Sequence, residues 1–160
     1  MNKKIAVFIP SMRGGGAERV ALSLAKGFIQ KGHVVHLILV KAEGPLMNDI
    51  PEGTVVIDLN KSRTILSIFS LASCLRKHRY DALISFMNHA NVVTVIASKL
   101  ILFKGRIILT EHNSLAHNLH GRAGLKYKAV FVGMKHLYGK ADKVIAVSNS
   151  LKQELALATG

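Results

Sequence analysis

Ile5-Ala-Val-Phe-Ile-Pro10-Ser-Met-Arg-Gly-Gly-Gly16-Ala-Glu-Arg19 carries the chain from an apolar strand, through a glycine loop, into a helix. The run Ile5 to Ile9 is apolar throughout, as a strand covered on both faces would be. Pro10 and Ser11 end it, and Gly14, Gly15 and Gly16 follow. Glycines allow positive φ and a close approach of backbone to ligand. The helix then repeats Ala17, Val20, Ala21, Leu24, Ala25, Phe28 and Ile29 at i, i+3, i+4, the spacing of a face turned to the core. Gly32 is expected just past its end. Free N–H groups and the positive dipole at such a helix start favour a phosphate or another anion, and the loop also suits a polyol.

The loop does not match a dinucleotide or triphosphate site well. Gly14-x-Gly16-x-x is followed by Arg19, where a third glycine or alanine would let helix and strand pack closely. The second strand leaves through Val40-Lys41-Ala42 with no acid ready for a ribose, and Glu43 comes late. A Gly-Lys-Ser/Thr phosphate loop is absent.

Along the rest of the chain strands and helices alternate. Strands are expected at His33–Val40, Thr54–Leu59, Asp81–Phe86, Arg106–Glu111 and Lys143–Val147. Helices are expected from Ser62 to about His78, with Ile65, Ile68, Phe69, Ala72 and Leu75 inward, and from Val92 to about Leu102 after an exit loop Met87–Asn91. Two more follow, at Gly124–Tyr138 and from Asn149 to Leu157, with 41–53 and 112–122 as loops. Six strands alternating with helices predict an α/β fold with one doubly wound, Rossmann-like parallel sheet.

The 160 residues suit one domain. With 49% hydrophobic and 19% charged residues the chain is globular and not disordered. Its lone cysteine, Cys74, excludes a disulfide framework; it is expected as a partly exposed bystander in a cytosolic setting. Met-Asn-Lys-Lys is read as the mature start and not a signal peptide. The greasy run Val92–Phe103 is broken by Lys99 and too short to span a bilayer. Lys and Arg outnumber Asp and Glu by 22 to 9, a formal charge of +13, which calls for an anionic partner. Aromatics at 6% with no Trp argue against nucleic acid. An anionic membrane surface or a diphosphate-linked acceptor fits better.

Gly-Gly-Gly-Ala-Glu-Arg-Val at 14–20, Lys31-Gly32-His33-x-Val35, Thr110-Glu-His-Asn113 and Val147-Ser-Asn-Ser150 together resemble the family-four (group 1) glycosyltransferases. The resemblance implies the N-terminal, acceptor-side half of a retaining GT-B enzyme built from two Rossmann-like domains. Residues 1–160 would be that single domain. The second domain, which carries a pair of glutamates separated by seven residues, would bind the nucleotide-sugar donor and lies outside this chain. Alone, the fragment is expected to turn over nothing.

Ligands of open parallel sheets bind beyond the carboxyl ends of the strands. Those exits carry Arg13 to Gly16, Asn88-His89, Glu111-His112-Asn113 and Ser148-Asn149, a rim of hydrogen-bonding groups with little carboxylate. Asn88, His89 and Ser148-Asn149 would also serve as helix caps. The resemblance gives His112 the catalytic position, near the donor sugar's hydroxyls. Arg19 is the candidate for a phosphate or an acidic acceptor, while Glu18 suits the helix dipole without any function. His117 and His120 lack the neighbours of a metal site, so neither metal nor cofactor is expected; the nucleotide sugar is a substrate. The Gly124–Tyr138 helix mixes apolar residues with Lys126, Lys128 and Lys135, which suits burial against a partner domain or a seat on lipid. The acceptor would be lipid-linked or a glycan, and the site cytoplasmic, peripheral at the inner face of the plasma membrane. Two other readings stay open: an NAD(P)-binding oxidoreductase domain, and a basic non-catalytic domain binding membrane or nucleic acid.

Overall fold

The computed structural model describes residues 2–113 and 124–159, with backbone alone for 124–128, 158 and 159. Its strands are β1 (Lys4–Ile9), β2 (Val34–Leu39), β3 (Val55–Asp58), β4 (Ala82–Phe86), β5 (Arg106–Glu111) and β6 (Lys143–Ala146). The helices are α1 (Gly16–Gln30), α2 (Ile68–His78), α3 (Asn88–Leu100), α4 (Gly124–Leu137) and α5 (Asn149–Thr159). The six strands form one sheet in the order β3-β2-β1-β4-β5-β6, every pairing parallel. This is the expected doubly wound sheet, and the strand order reverses between β1 and β4.

Strand alternation explains why β1 reads as unbroken apolar sequence. Ile5, Val7 and Ile9 face α1, packing with Ala17, Ala21 and Ala25, while Ala6 and Phe8 face α2 and α3, packing with Leu71, Leu75 and Val93. A third cluster joins β5 to α3, α4 and α5 through Leu109, Val95, Met134 and Leu151.

The structure corrects several expectations. On α1, Val20 and Leu24 are exposed, and the buried stripe runs through Ala17, Glu18, Ala21, Leu22 and Ala25 instead. Small alanines let α1 approach the sheet closely, so the stripe follows them and not the larger residues. Ile65 and Phe69 face solvent, because a 3-10 turn at Thr64–Ser67 precedes α2 and shifts the phase of the helix. Cys74 is buried and not exposed: it lies three residues after Leu71 on the inward face, with its sulfur 3.8 Å from the Tyr80 hydroxyl. Burial pushes its thiol pKa up, which removes it as a nucleophile. The expected loop Met87–Asn91 shrinks to Met87, whose positive φ of 76° turns the chain from β4 straight into α3.

Candidate functional site at the sheet's switch point

The two exits flanking the reversal, after β1 and after β4, open the crevice where such sheets bind ligands. On the β1 side Gly14 takes φ +108°, which a side chain would resist. A Cβ on Gly15 would meet Glu18 Oε2 at 2.6 Å and push that carboxylate aside, whereas one on Gly16 would meet nothing. Glu18 is therefore more than a dipole partner. It is 5% exposed, and its Oε2 is buried with no hydrogen-bond partner among the described residues.

The loop is braced from β2. Met12 N–H donates to the Glu43 carbonyl at 2.9 Å, and Leu46 N–H to the Met12 carbonyl at 3.1 Å. Arg13 and Lys41 both pair with the Glu43 carboxylate, at 2.6 and 2.7 Å, and their hydrogen bonds hold its pKa low, Lys41's first. Glu43, the late acid after β2, is thus already engaged.

From β5, His112 reaches over the end of β4. Its ring stacks on Phe86 with centroids 5.3 Å apart and planes 24° from parallel. Burial lowers its pKa, and the Glu18 carboxylate opposes that shift, so the two side chains share one electrostatic environment. The net direction favours the uncharged imidazole. His112, Glu18 and the glycine loop are thus gathered at the switch point.

The other predicted residues spread along the rim. Asn88 is buried at the start of α3, and its Oδ1 accepts from the His89 N–H at 2.7 Å. His89, its pKa lowered by burial, lines a mostly apolar cavity of about 360 Å³ with Arg63, Ile65, Val92 and Val130. Asn113 is exposed beside His112. Ser148 caps α5, its Oγ accepting from Leu151 N–H at 3.2 Å, and lines a cavity of about 230 Å³ with Asn149 and Tyr138. Arg19 points elsewhere, onto the outer face of α1, lining a shallow pocket with Ser23, Lys26 and Asp49.

Glu111 does not belong to the rim. Strand alternation turns it inward, fully buried, while Thr110 and His112 share the other face. Its Oε1 accepts from Asn91 Nδ2 at 2.7 Å and from the Tyr138 hydroxyl, and burial pushes its pKa up to about 7. Sequence reasoning gave Glu18 no function beyond the helix dipole and passed over Phe86 and Thr110 as site residues. The period of two would have paired Thr110 with His112, but nothing local shows that α1 turns Glu18 inward. His117 and His120 lie outside the described residues.

Several solved structures share this fold. Anabaena HepE in complex with UDP-glucose is 20% identical with a TM-score of 0.69, aligning 99% of this chain with 41% of its own. The lipopolysaccharide outer core galactosyltransferase WaaB is 16% identical with a TM-score of 0.68, over 97% of this chain and 42% of its own. A glycosyltransferase from Rickettsia africae ESF-5 is 21% identical with a TM-score of 0.67, over 96% and 39%. The chain thus spans about two fifths of the length of these proteins. Comparison with curated protein sequences gives no match. The family model for Glycosyltransferase Family 4 matches residues 14–160, nearly the whole chain, and the chain belongs to that family.

Proposed function

We propose that this chain is the acceptor-side domain of a retaining glycosyltransferase that moves a sugar from a nucleotide-sugar donor to a lipid-linked or glycan acceptor. A second domain, outside these residues, holds most of the donor. The observation that carries the reading is His112, stacked on Phe86 beside the glycine loop, at the switch point of a family-four domain. A neutral imidazole and backbone N–H groups suit sugar hydroxyls and a diphosphate, respectively. HepE's complexes with UDP-glucose, and with UDP and glucose, support a nucleotide-sugar donor, and WaaB's name supports a glycolipid acceptor.

In this reading Gly14, Gly15 and Gly16 offer backbone to the donor, and His112 meets its sugar. Asn88, His89, Asn113, Ser148 and Asn149 line the approach. Arg19 serves an acidic acceptor from the outer face of α1, and Glu111 supports the rim from beneath. Closure of two domains would exclude water from the activated sugar. No residue is assigned to a metal or cofactor.

Membrane attachment at the cytoplasmic face belongs to the same proposal. No helix among the described residues is long and apolar enough to cross a membrane. Ile65, Leu66 and Phe69 are exposed, and Lys61 and Arg63 precede them in the chain. Such a surface suits anionic lipid.

The test is transfer by the full-length protein from a panel of nucleotide sugars, with the anomeric configuration of the product read by NMR. Retention, and its loss in a folded His112→Ala variant, is expected. Inversion, or wild-type rates in both His112→Ala and Arg19→Ala, would overturn the assignment.

A further inference from the structure

We infer that Thr110 is a positioning residue: its hydroxyl, committed to the Ser85 carbonyl, holds His112 in the Nε2–H form and leaves Nδ1 as a bare acceptor for a substrate hydroxyl. Thr110 Oγ1 donates to the Ser85 carbonyl at 2.9 Å. The same oxygen lies 3.1 Å from His112 Nε2. A hydroxyl has one proton to give, so an oxygen that has given it to Ser85 can only accept from the ring. The reverse assignment sends the threonine proton to Nε2. That leaves two buried oxygens, Thr110 Oγ1 and the Ser85 carbonyl, facing each other across 2.9 Å with nothing between them. One arrangement makes two hydrogen bonds; the other makes one and adds a repulsion inside the core.

A neutral imidazole carries a single N–H, so placing it on Nε2 strips Nδ1 of its proton. His112 Nδ1 has no hydrogen-bond partner among the described residues. Stacking on Phe86 keeps the ring in the plane that the Thr110 bond requires. The nitrogen left over can accept a proton from a hydroxyl but can give none to a carbonyl or phosphate oxygen. A donor such as a sugar hydroxyl fits this side chain, whereas a carbonyl or phosphate oxygen does not. What occupies Nδ1 rests on the sugar-transfer reading; the tautomer itself does not.

The experiment is a pair of measurements on the full-length protein. Ring 15N correlation spectra of the ligand-free protein report the His112 tautomer directly. The wild type is expected to show the Nε2–H form, Thr110→Val to admit the Nδ1–H form, and Thr110→Ser to restore the wild-type pattern. Valine keeps the branched shape in the strand, and if that variant does not fold the wild-type spectrum still decides. A dominant Nδ1–H form in the wild type, or an unchanged Nε2–H form in Thr110→Val, overturns the inference. In the transfer assay Thr110→Val is expected to lose about tenfold in kcat/KM, the order expected for one hydrogen bond, with recovery in Thr110→Ser. A wild type with the Nε2–H form but no sugar transfer would sink the transferase reading and leave the tautomer assignment standing.

Discussion

The Tyr138 hydroxyl donates to the Glu111 carboxylate inside the core, tying the turn after α4 to the end of β5. Asn91 of α3 donates to the same oxygen, so three elements meet on one carboxylate. Burial raises the Glu111 pKa from the ordinary 4.5 to about 7, outweighing both hydrogen bonds. Between those two values the folded chain keeps a proton that the unfolded chain has released. This group's contribution therefore weakens as pH rises across that window. Glu111→Gln, neutral throughout, is expected to flatten this part of the stability profile. Urea midpoints for both proteins at pH 5 and pH 7.5 check it, and an identical pH dependence in the two would refute it.

Gly44 governs the loop from a distance. It holds φ +116° and ψ 161°, a region essentially reserved for glycine, and a Cβ there would run into the Met12 backbone, 2.7 Å from Arg13 N. Gly44→Ala is expected to cost on the order of 3 kcal/mol and to disturb the glycine loop. Thermal melts read the first effect and amide shifts of Gly14 to Gly16 the second. A variant as stable as the wild type would show that the two loops move freely past each other.

Glu18 and His112 are coupled through charge. The carboxylate raises the His112 pKa, so Glu18→Gln is expected to lower it further. Gly15→Ala, which pushes a methyl group against Glu18 Oε2, is expected to displace the carboxylate and shift the histidine too. NMR titration of His112 in the three proteins gives the answer; coincident midpoints would separate the two residues.

The exposed apolar residues at the start of α2 and in the turn before it predict salt-sensitive lipid binding. Phe69 is 77% exposed and Leu66 55%. Phe69→Ser and Leu66→Ser are each expected to weaken partitioning onto phosphatidylglycerol vesicles by about tenfold. Binding that survives both changes, or that ignores salt, would place the contact elsewhere.

Much of this was legible in the chain itself. Unbroken apolar runs at Ile5–Ile9 and at Leu37–Val40 announce strands covered on both sides, and helices between them leave a parallel sheet as the natural solution. The glycine loop and the polar residues at strand exits follow, because parallel strands all release their ends on one edge of the sheet. The period of two along Thr110-Glu111-His112 is equally local and sets Glu111 on the face opposite His112, but it does not say which is buried, since Thr110 on the histidine's face is buried too.

Other features depended on contacts that no local pattern encodes. Glu18 turns inward because the alanines of α1 bring that helix down on the sheet, which buries the residue beside them whatever its charge. Cys74 is buried because the face of α2 was set by a 3-10 turn, invisible to a helical wheel. The ring of His112 finds Phe86 only because β4 and β5 are neighbours, and its proton is assigned only because Ser85 presents a carbonyl to Thr110 across that pairing. Periodicity is a property of one element and is written in its residues. Which side chains meet between elements is decided by packing, and packing exists only once the whole chain has folded.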